Sequence, residues 1–115
     1  MSQVVEKFEK DYTVTNSVGV KTECRTSLQV MKWGPARKNL VAYTFNSYNE
    51  PFCELLAEAL KKYKVLDFET GVSGETMHGI ICANVRSTLK KILGEHLDVK
   101  SDGRRYYTMT LSYID

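Results

Sequence analysis

The sequence predicts an α+β fold in which two helices pack on one face of a largely antiparallel β-sheet. Residues 20–33 alternate apolar and polar side chains, which is the period of a half-buried strand. Residues 50–63 repeat apolar side chains at the period of an amphipathic helix. Because 115 residues is close to the commonest domain size, we expect one domain that spans residues 1–115.

Three strands are predicted before the first helix. Alternating residues near the N-terminus, followed by turn-forming residues at 16–19, indicate a hairpin whose second strand is residues 20–33. A short helix over residues 2–11 is the alternative for the first strand. Gly34-Pro35 ends the second strand, and Leu40–Asn46 is predicted as a third strand in the core.

The first helix is predicted from about Glu50 to Tyr63. Ser47 or Asn49 can accept hydrogen bonds from the free N–H groups of the first turn, and Pro51 suits that turn because it lacks only a donor that would be unused. The stripe that should face the core consists of Phe52, Leu55, Leu56, Ala59, Leu60 and Tyr63.

A second, shorter helix is predicted over Val85–Leu93, with Asn84 as its N-cap and Ile92 among the residues that face inward. Each helix is followed by a predicted hairpin. The four hairpin strands are Val65–Glu69, Met77–Ala83, His96–Lys100 and Arg105–Tyr113, and an Asp102-Gly103 turn joins the last two. The simplest arrangement is a ferredoxin-like βαββαβ core from Leu40 to Tyr113 plus the N-terminal hairpin.

The composition indicates an intracellular chain without a strong charge preference. The net charge of +2 is well below that of dedicated nucleic-acid binders. Three cysteines, Cys24, Cys53 and Cys82, form no CxxC pair and are odd in number, which favours a reducing compartment. The N-terminus lacks a signal-peptide pattern and no segment has the length of a membrane span, so we expect a cytoplasmic protein with no membrane partner.

No catalytic, cofactor or metal motif is found. His78 and His96 are the natural general-base candidates, but neither has a partner nearby in the sequence, and we interpret both as structural or surface residues. The cysteines fall in apolar segments, where a free cysteine behaves as a small buried hydrophobe. No pair of histidines or cysteines has the spacing of a zinc site. We therefore expect no enzyme activity, no cofactor and no metal.

The stretch 25–38 is the first candidate binding site. It combines basic side chains with an aromatic one, and residues 31 and 33 continue the polar face of their strand, so two large apolar side chains are expected to point outward. Such residues can contact a protein interface or a nucleic-acid backbone. The candidate binding residues are Arg25, Met31, Lys32, Trp33, Arg37 and Lys38.

The last predicted strand is the second candidate. Its outward side chains are expected to be Tyr106, Thr108, Thr110 and Ser112. At a sheet edge this uncharged face could accept a strand from another chain and form a homodimer. In the centre of the sheet it would be structural, and the central position is the favoured interpretation.

The leading functional hypothesis is a small, non-catalytic, cytoplasmic regulatory or binding protein that acts through a protein partner or self-association. Small motif-free chains of this kind are common among phage and bacterial accessory proteins. The alternative is a nucleic-acid-binding module that uses the stretch 25–38. A second alternative is an enzyme whose site is formed only in three dimensions.

Overall fold

A computed structural model describes residues 2–34, 38–44, 48–70, 74–100 and 108–115 of the protein. In these residues, six strands form one sheet in the order β1-β2-β3-β4-β6-β5, accompanied by two α-helices. The strands are β1 (Ser2–Thr15), β2 (Lys21–Trp33), β3 (Val41–Tyr43), β4 (Val65–Glu69), β5 (Leu97–Val99) and β6 (Thr108–Tyr113). The helices are α1 (Glu50–Tyr63) and α2 (Glu75–Leu93), and a 3-10 turn, Gly94–His96, follows α2. The α+β class and the mainly antiparallel sheet are confirmed.

The opening hairpin is longer than its sequence pattern indicated. Strand β1 pairs with β2 from Ser2 to Thr15, with an irregularity between Val4 and Glu6. The alternative short helix over residues 2–11 is therefore wrong. Even-numbered side chains of β1 from Glu6 to Tyr12 face helix α1, where Lys10 Nζ lies 2.6 Å from a carboxylate oxygen of Glu54. These contacts place α1 across the hairpin.

Helix α1 has the bounds that the sequence predicted. Asn49 caps it: the Asn49 side-chain oxygen accepts a hydrogen bond from the N–H of Phe52 at 3.1 Å. The amide group of Asn49 also donates to the hydroxyl of Tyr12 at 2.9 Å, so the start of α1 is attached to β1. The core between helix and sheet includes Leu28 and Phe68, both fully buried. Burial of the apolar stripe of α1 against these sheet residues, more than the cap, holds the helix in place.

The connections place both helices on one face of the sheet. Strands β3 and β4 are adjacent and parallel, and α1 is the crossover between them. Strand β5 is also parallel to β4, because each pairs antiparallel with β6, which lies between them. Helix α2 is the crossover from β4 to β5. Both crossovers proceed in the same direction across the sheet, so a common right-handed sense puts their helices on the same side, and α1 and α2 contact each other.

The prediction of a strand over Met77–Ala83 is wrong, because this segment is the first half of α2. The N-cap is Gly74, so the predicted cap at Asn84 is also wrong. Ile92 is 39% exposed rather than directed inward. The buried stripe of α2 consists of His78, Cys82, Val85, Leu89 and Leu93, which recur at helix spacing over the whole element.

The ferredoxin-like topology is not confirmed. That arrangement needs a strand between the two helices in addition to β4, and the chain there is helical. As a consequence, β3 and β4 are neighbours in a parallel pair. The described part of the predicted Leu40–Asn46 strand is a strand only over Val41–Tyr43. The predicted Asp102-Gly103 turn lies outside the described residues.

Candidate functional site

The sheet has a second face, which neither described helix contacts, and which we call the open face. The name refers to the helices only, because Val41 and Asp67 on this face are buried. On β2 the open face carries Arg25, Met31 and Trp33, because these alternate with the buried residues Leu28 and Val30 that face the helices. The open face therefore carries the two large apolar side chains that the alternation predicted to point outward.

Met31, Trp33 and Tyr43 lie together on the open face, and we call these three residues the Trp33 patch. The indole N–H of Trp33 donates to the sulfur of Met31 at 3.4 Å. The rings of Trp33 and Tyr43 lie 6.0 Å apart at an interplanar angle of 49°. All three side chains are half-buried, so part of each remains accessible. The patch is an apolar surface with aromatic groups held in place by mutual contact.

Sequence reasoning missed Tyr43 as a site residue. Tyr43 lies on β3, where it pairs with Gln29 of β2, and Val41 pairs with Met31. Paired residues of neighbouring strands share a face, so Tyr43 is on the same face as Met31. Side chains alternate along β3, so Tyr43 points away from the core that Ala42 faces. The sequence showed that Ala42 and Tyr43 point to opposite faces, but only the register between β2 and β3 showed that Tyr43 shares the face of Met31.

Arg25 is on the open face but far from the Trp33 patch. Eight residues of extended strand separate it from Trp33, which is roughly 26 Å. Its guanidinium Nε donates to a carboxylate oxygen of Asp11 at 2.7 Å, and Nη1 lies 3.4 Å from Glu9. The hydrogen bond and charge of Arg25 lower the pKa of Asp11, and Asp11 in turn raises the pKa of Arg25. The positive charge of Arg25 is thus compensated locally.

The remaining predicted site residues are not brought into the patch. Lys32 is exposed, but it alternates with Met31 and Trp33 and so belongs to the other side of β2. Lys38 is exposed and follows β2 in the chain. Arg37 and Tyr106 lie outside the described residues. The basic and aromatic residues of the stretch 25–38 therefore do not form one continuous surface in the described part of the chain.

The last strand, β6, is central: it lies between β4 and β5. The favoured structural interpretation of this strand is confirmed, and dimerisation through β6 as an edge strand is wrong. Of its outward residues in the described chain, Ser112 is only 6% exposed and Thr110 is half-buried. The hydroxyl of Thr110 donates to Asp67 at 2.8 Å, and the Asn39 amide approaches the same carboxylate oxygen at 3.3 Å. Asp67 is a polar centre of the open face that sequence reasoning missed.

A buried polar cluster lies at the carboxyl ends of the parallel strands, formed by Tyr48, Thr70, His78 and Cys82. The Cys82 sulfur lies 3.5 Å from His78 Nε2, and His78 Nδ1 lies 2.9 Å from the Thr70 hydroxyl. The Tyr48 hydroxyl donates to the carbonyl of Thr70, and burial raises the pKa of Tyr48. The three residues Thr70, His78 and Cys82 are each at most 5% exposed.

The expectation that His78 has no nearby partner is wrong. In a helix, residues four apart share a face, so His78 and Cys82 meet on α2. The incorrect strand assignment hid this pair. His96 has a structural role, as expected: its Nδ1 lies 2.6 Å from the Ile114 carbonyl oxygen and its ring stacks on Tyr113 with 5.2 Å between centroids.

No protein-family model, curated protein or solved structure matches this chain. Within the described residues, no group of three or more His, Cys, Asp and Glu side chains is placed to hold a metal ion. Neither helix of the described chain is long and apolar enough to cross a membrane. All three cysteines are thiols.

Proposed function

We propose that this protein is a small, non-catalytic binding protein that acts through a protein partner, with the Trp33 patch as its contact surface. The carrying observation is the grouping of Trp33, Met31 and Tyr43 on the sheet face that neither described helix covers. Tryptophan and tyrosine are enriched among the residues that contribute most to protein binding, because each buries a large area at a small entropic cost. A regulatory or accessory role in the cytoplasm, as in phage and bacterial accessory proteins, is part of this proposal.

Charge favours a protein partner over a nucleic acid. Glu9 and Asp11 compensate Arg25, a basic residue on the same strand face as Trp33. Strand β4 adds Asp67 and Glu69 to the open face by its register with β3 and β6. Carboxylates beside a binding surface repel the phosphate backbone, whose neutralisation supplies most nucleic-acid affinity. Nucleic-acid binding remains the alternative and predicts an affinity that falls steeply with salt.

Photo-crosslinking at two positions tests the proposal. A benzophenone amino acid replaces Trp33 in one variant and Ile92 in a matched control, because Ile92 is a partly exposed apolar residue on α2. We expect a discrete protein adduct from position 33 and none from position 92. Unlabelled wild-type protein should compete for that adduct, whereas the Trp33→Ala variant should compete at least about tenfold less well.

Two results would contradict the proposal. One is equal competition by wild-type protein and Trp33→Ala, with the variant shown to be folded by its circular dichroism spectrum. The other is a nucleic-acid adduct at position 33 whose yield falls as salt is raised, which would support the nucleic-acid alternative.

An enzyme is the second candidate, and the Cys82–His78 contact is the observation that favours it. A thiol within 3.5 Å of an imidazole nitrogen is the pairing that activates a cysteine nucleophile. The low exposure of both residues opposes this role, because a nucleophile must meet its substrate. Iodoacetamide labelling of the folded protein at neutral pH distinguishes the two: we expect Cys82 to be protected, and labelling of Cys82 faster than of the half-buried Cys24 would favour the enzyme.

A further inference from the structure

Strand β1 forms one edge of the sheet. Among the described residues it pairs only with β2, which leaves the other side of a 14-residue strand without a neighbouring strand. Proteins usually shorten, bend or charge such edges to prevent pairing with another chain. Here the strand is long, and its charges are arranged in a way that permits pairing with one specific partner.

The hairpin register shows which backbone groups of β1 face outward. The N–H of Asn16 donates to the carbonyl of Val20 at 3.0 Å, and the register then continues in phase from Thr15 to Glu6. Hydrogen-bonded and non-hydrogen-bonded pairs alternate along an antiparallel ladder. The even-numbered residues of β1 therefore bond to β2, and the odd-numbered residues Lys7 and Glu9 direct their N–H and C=O groups to the free edge.

The segment Glu6–Lys10 reads Glu-Lys-Phe-Glu-Lys, which is complementary to itself when two copies run antiparallel. With Phe8 opposite Phe8 of the second copy, Lys7 faces Glu9, and Glu6 faces Lys10, so no like charges meet. Glu6 and Lys10 also pair with Lys62 and Glu54 of α1 in their own copy, so Lys7 and Glu9 are the charges that the interface mainly uses. Lys7 and Glu9 both direct their backbone groups to the free edge, and this register sets them opposite each other, so they form a hydrogen-bonded pair. Opposite charges directly across a ladder are stabilising.

The neighbouring registers are less favourable in charge or in side-chain contact, or have the wrong backbone phase. A symmetric pairing centred on Lys7 places two Lys7 side chains opposite each other. One centred on Glu9 gains two contacts of Lys7 with Asp11, but it places two carboxylates opposite each other and sets Phe8 against Lys10, so the apolar contact between the two Phe8 side chains is lost. A pairing centred between two residues sets odd-numbered residues of one copy opposite even-numbered residues of the other. Only the odd-numbered residues direct their N–H and C=O groups to the free edge, so the hydrogen bonds of such a ladder cannot form. The irregularity between Val4 and Glu6 ends the regular ladder on one side, so the continuous pairing covers Glu6–Lys10 in each copy.

We propose that the protein forms a symmetric homodimer in which the β1 edges of two copies pair antiparallel, centred on Phe8. The two-fold axis is perpendicular to the sheet, which joins the two sheets and keeps all four helices on the same side. Phe8 is half-buried and packs against the core. Because the Phe8 pair is of the non-hydrogen-bonded type, its two side chains are in close contact and extend the core across the interface. This inference does not depend on the Trp33 patch.

Sedimentation equilibrium with charge-swapped variants tests the dimer. Wild-type protein should associate between about 5 and 500 μM, as expected for a small interface, and more weakly at high salt. Lys7→Glu places two carboxylates opposite each other, and Glu9→Lys places two ammonium groups opposite each other. Each variant alone should dimerise at least about tenfold more weakly than wild type. An equimolar mixture of the two should regain dimerisation, because only the mixed pair restores opposite charges.

The mixture separates a lost interface from a lost fold, because misfolded variants cannot rescue each other. The double variant with Lys7→Glu and Glu9→Lys is expected to dimerise like wild type, for the same reason. A wild-type protein that is monomeric at all these concentrations overturns the proposal, as does dimerisation of either single variant at the wild-type affinity. Failure of the mixture to associate also overturns it. Loss of partner binding in Trp33→Ala has no bearing on these results.

Discussion

Replacing Gly79 with alanine is expected to stabilise the protein, because Gly79 lies inside helix α2 with space for a side chain. A methyl group added there meets no heavy atom within 4 Å, and the backbone dihedral φ is not in the positive range. The expected gain is the difference in helix propensity, about 1 kcal/mol. Most of it comes from the unfolded chain, which loses conformational freedom when glycine is replaced.

Gly94 provides the matched control for this substitution. A methyl group at Gly94 also meets nothing within 4 Å, but the backbone there has φ 58° and ψ −126°, which side-chain-bearing residues rarely adopt. Gly94→Ala should therefore destabilise the protein by about 1–3 kcal/mol. The same chemical change in equally open space should have opposite effects, and only the backbone conformation differs.

Thermal unfolding followed by circular dichroism measures both effects. Unfolding entropies of about 2.1 cal/mol/K per residue over 115 residues convert 1 kcal/mol into a shift in Tm of roughly 4 °C. Gly79→Ala should raise Tm by about that amount, and Gly94→Ala should lower it by at least as much. Gly79→Val should raise Tm less than Gly79→Ala does, because β-branched residues are disfavoured in helices. A larger gain from valine than from alanine would indicate a strand at Gly79 and would refute this reasoning.

Three further predictions concern α1 and its contacts. The hydrogen bond from Lys62 lowers the pKa of Glu6 in the folded state. Its contribution to stability is therefore complete above the ordinary carboxylate pKa and is lost as the pH falls through the lower folded-state pKa. Glu6→Gln should make the free energy of unfolding in urea less dependent on pH in that window, and an unchanged pH dependence would contradict this. Asn49→Ala should cost about 1 kcal/mol in the same assay, because the first turn loses its bond from the N–H of Phe52; a cost near zero would show that the cap is replaceable. Burial raises the pKa of Cys53 to about 11, so its thiol should resist iodoacetamide at pH 8 until the protein unfolds, and rapid labelling of native protein followed by mass spectrometry would contradict that burial.

Local patterns explain why α1 was predicted with the observed bounds. Its apolar stripe, its Asn49 cap and its first-turn proline all lie within one segment, so no distant contact is needed to recognise them. The hairpin of β1 and β2 was recognised for the same reason. Alternation also placed Met31 and Trp33 on the face opposite Leu28 and Val30.

The segment 77–83 was ambiguous because two periods fit it. His78, Ile80 and Cys82 alternate as in a strand, whereas His78, Cys82 and Val85 recur as in a helix. Packing decided between them, because α2 buries the second set against α1 and the sheet. The Cys82–His78 pair could not be recognised before that choice was made.

The sequence by itself determined the fold class, helix α1, the presence of the opening hairpin and the outward side chains of β2, because each depends on the side-chain period of one continuous segment. Only the tertiary structure decided the parallel pairing of β3 with β4, the central position of β6 and the contact of Tyr43 with Trp33. These features join residues that are distant in the chain, and their free energy comes from burial and register between segments. The self-complementary charges of β1 were visible in the sequence, but only the strand order showed that this strand lies at an edge.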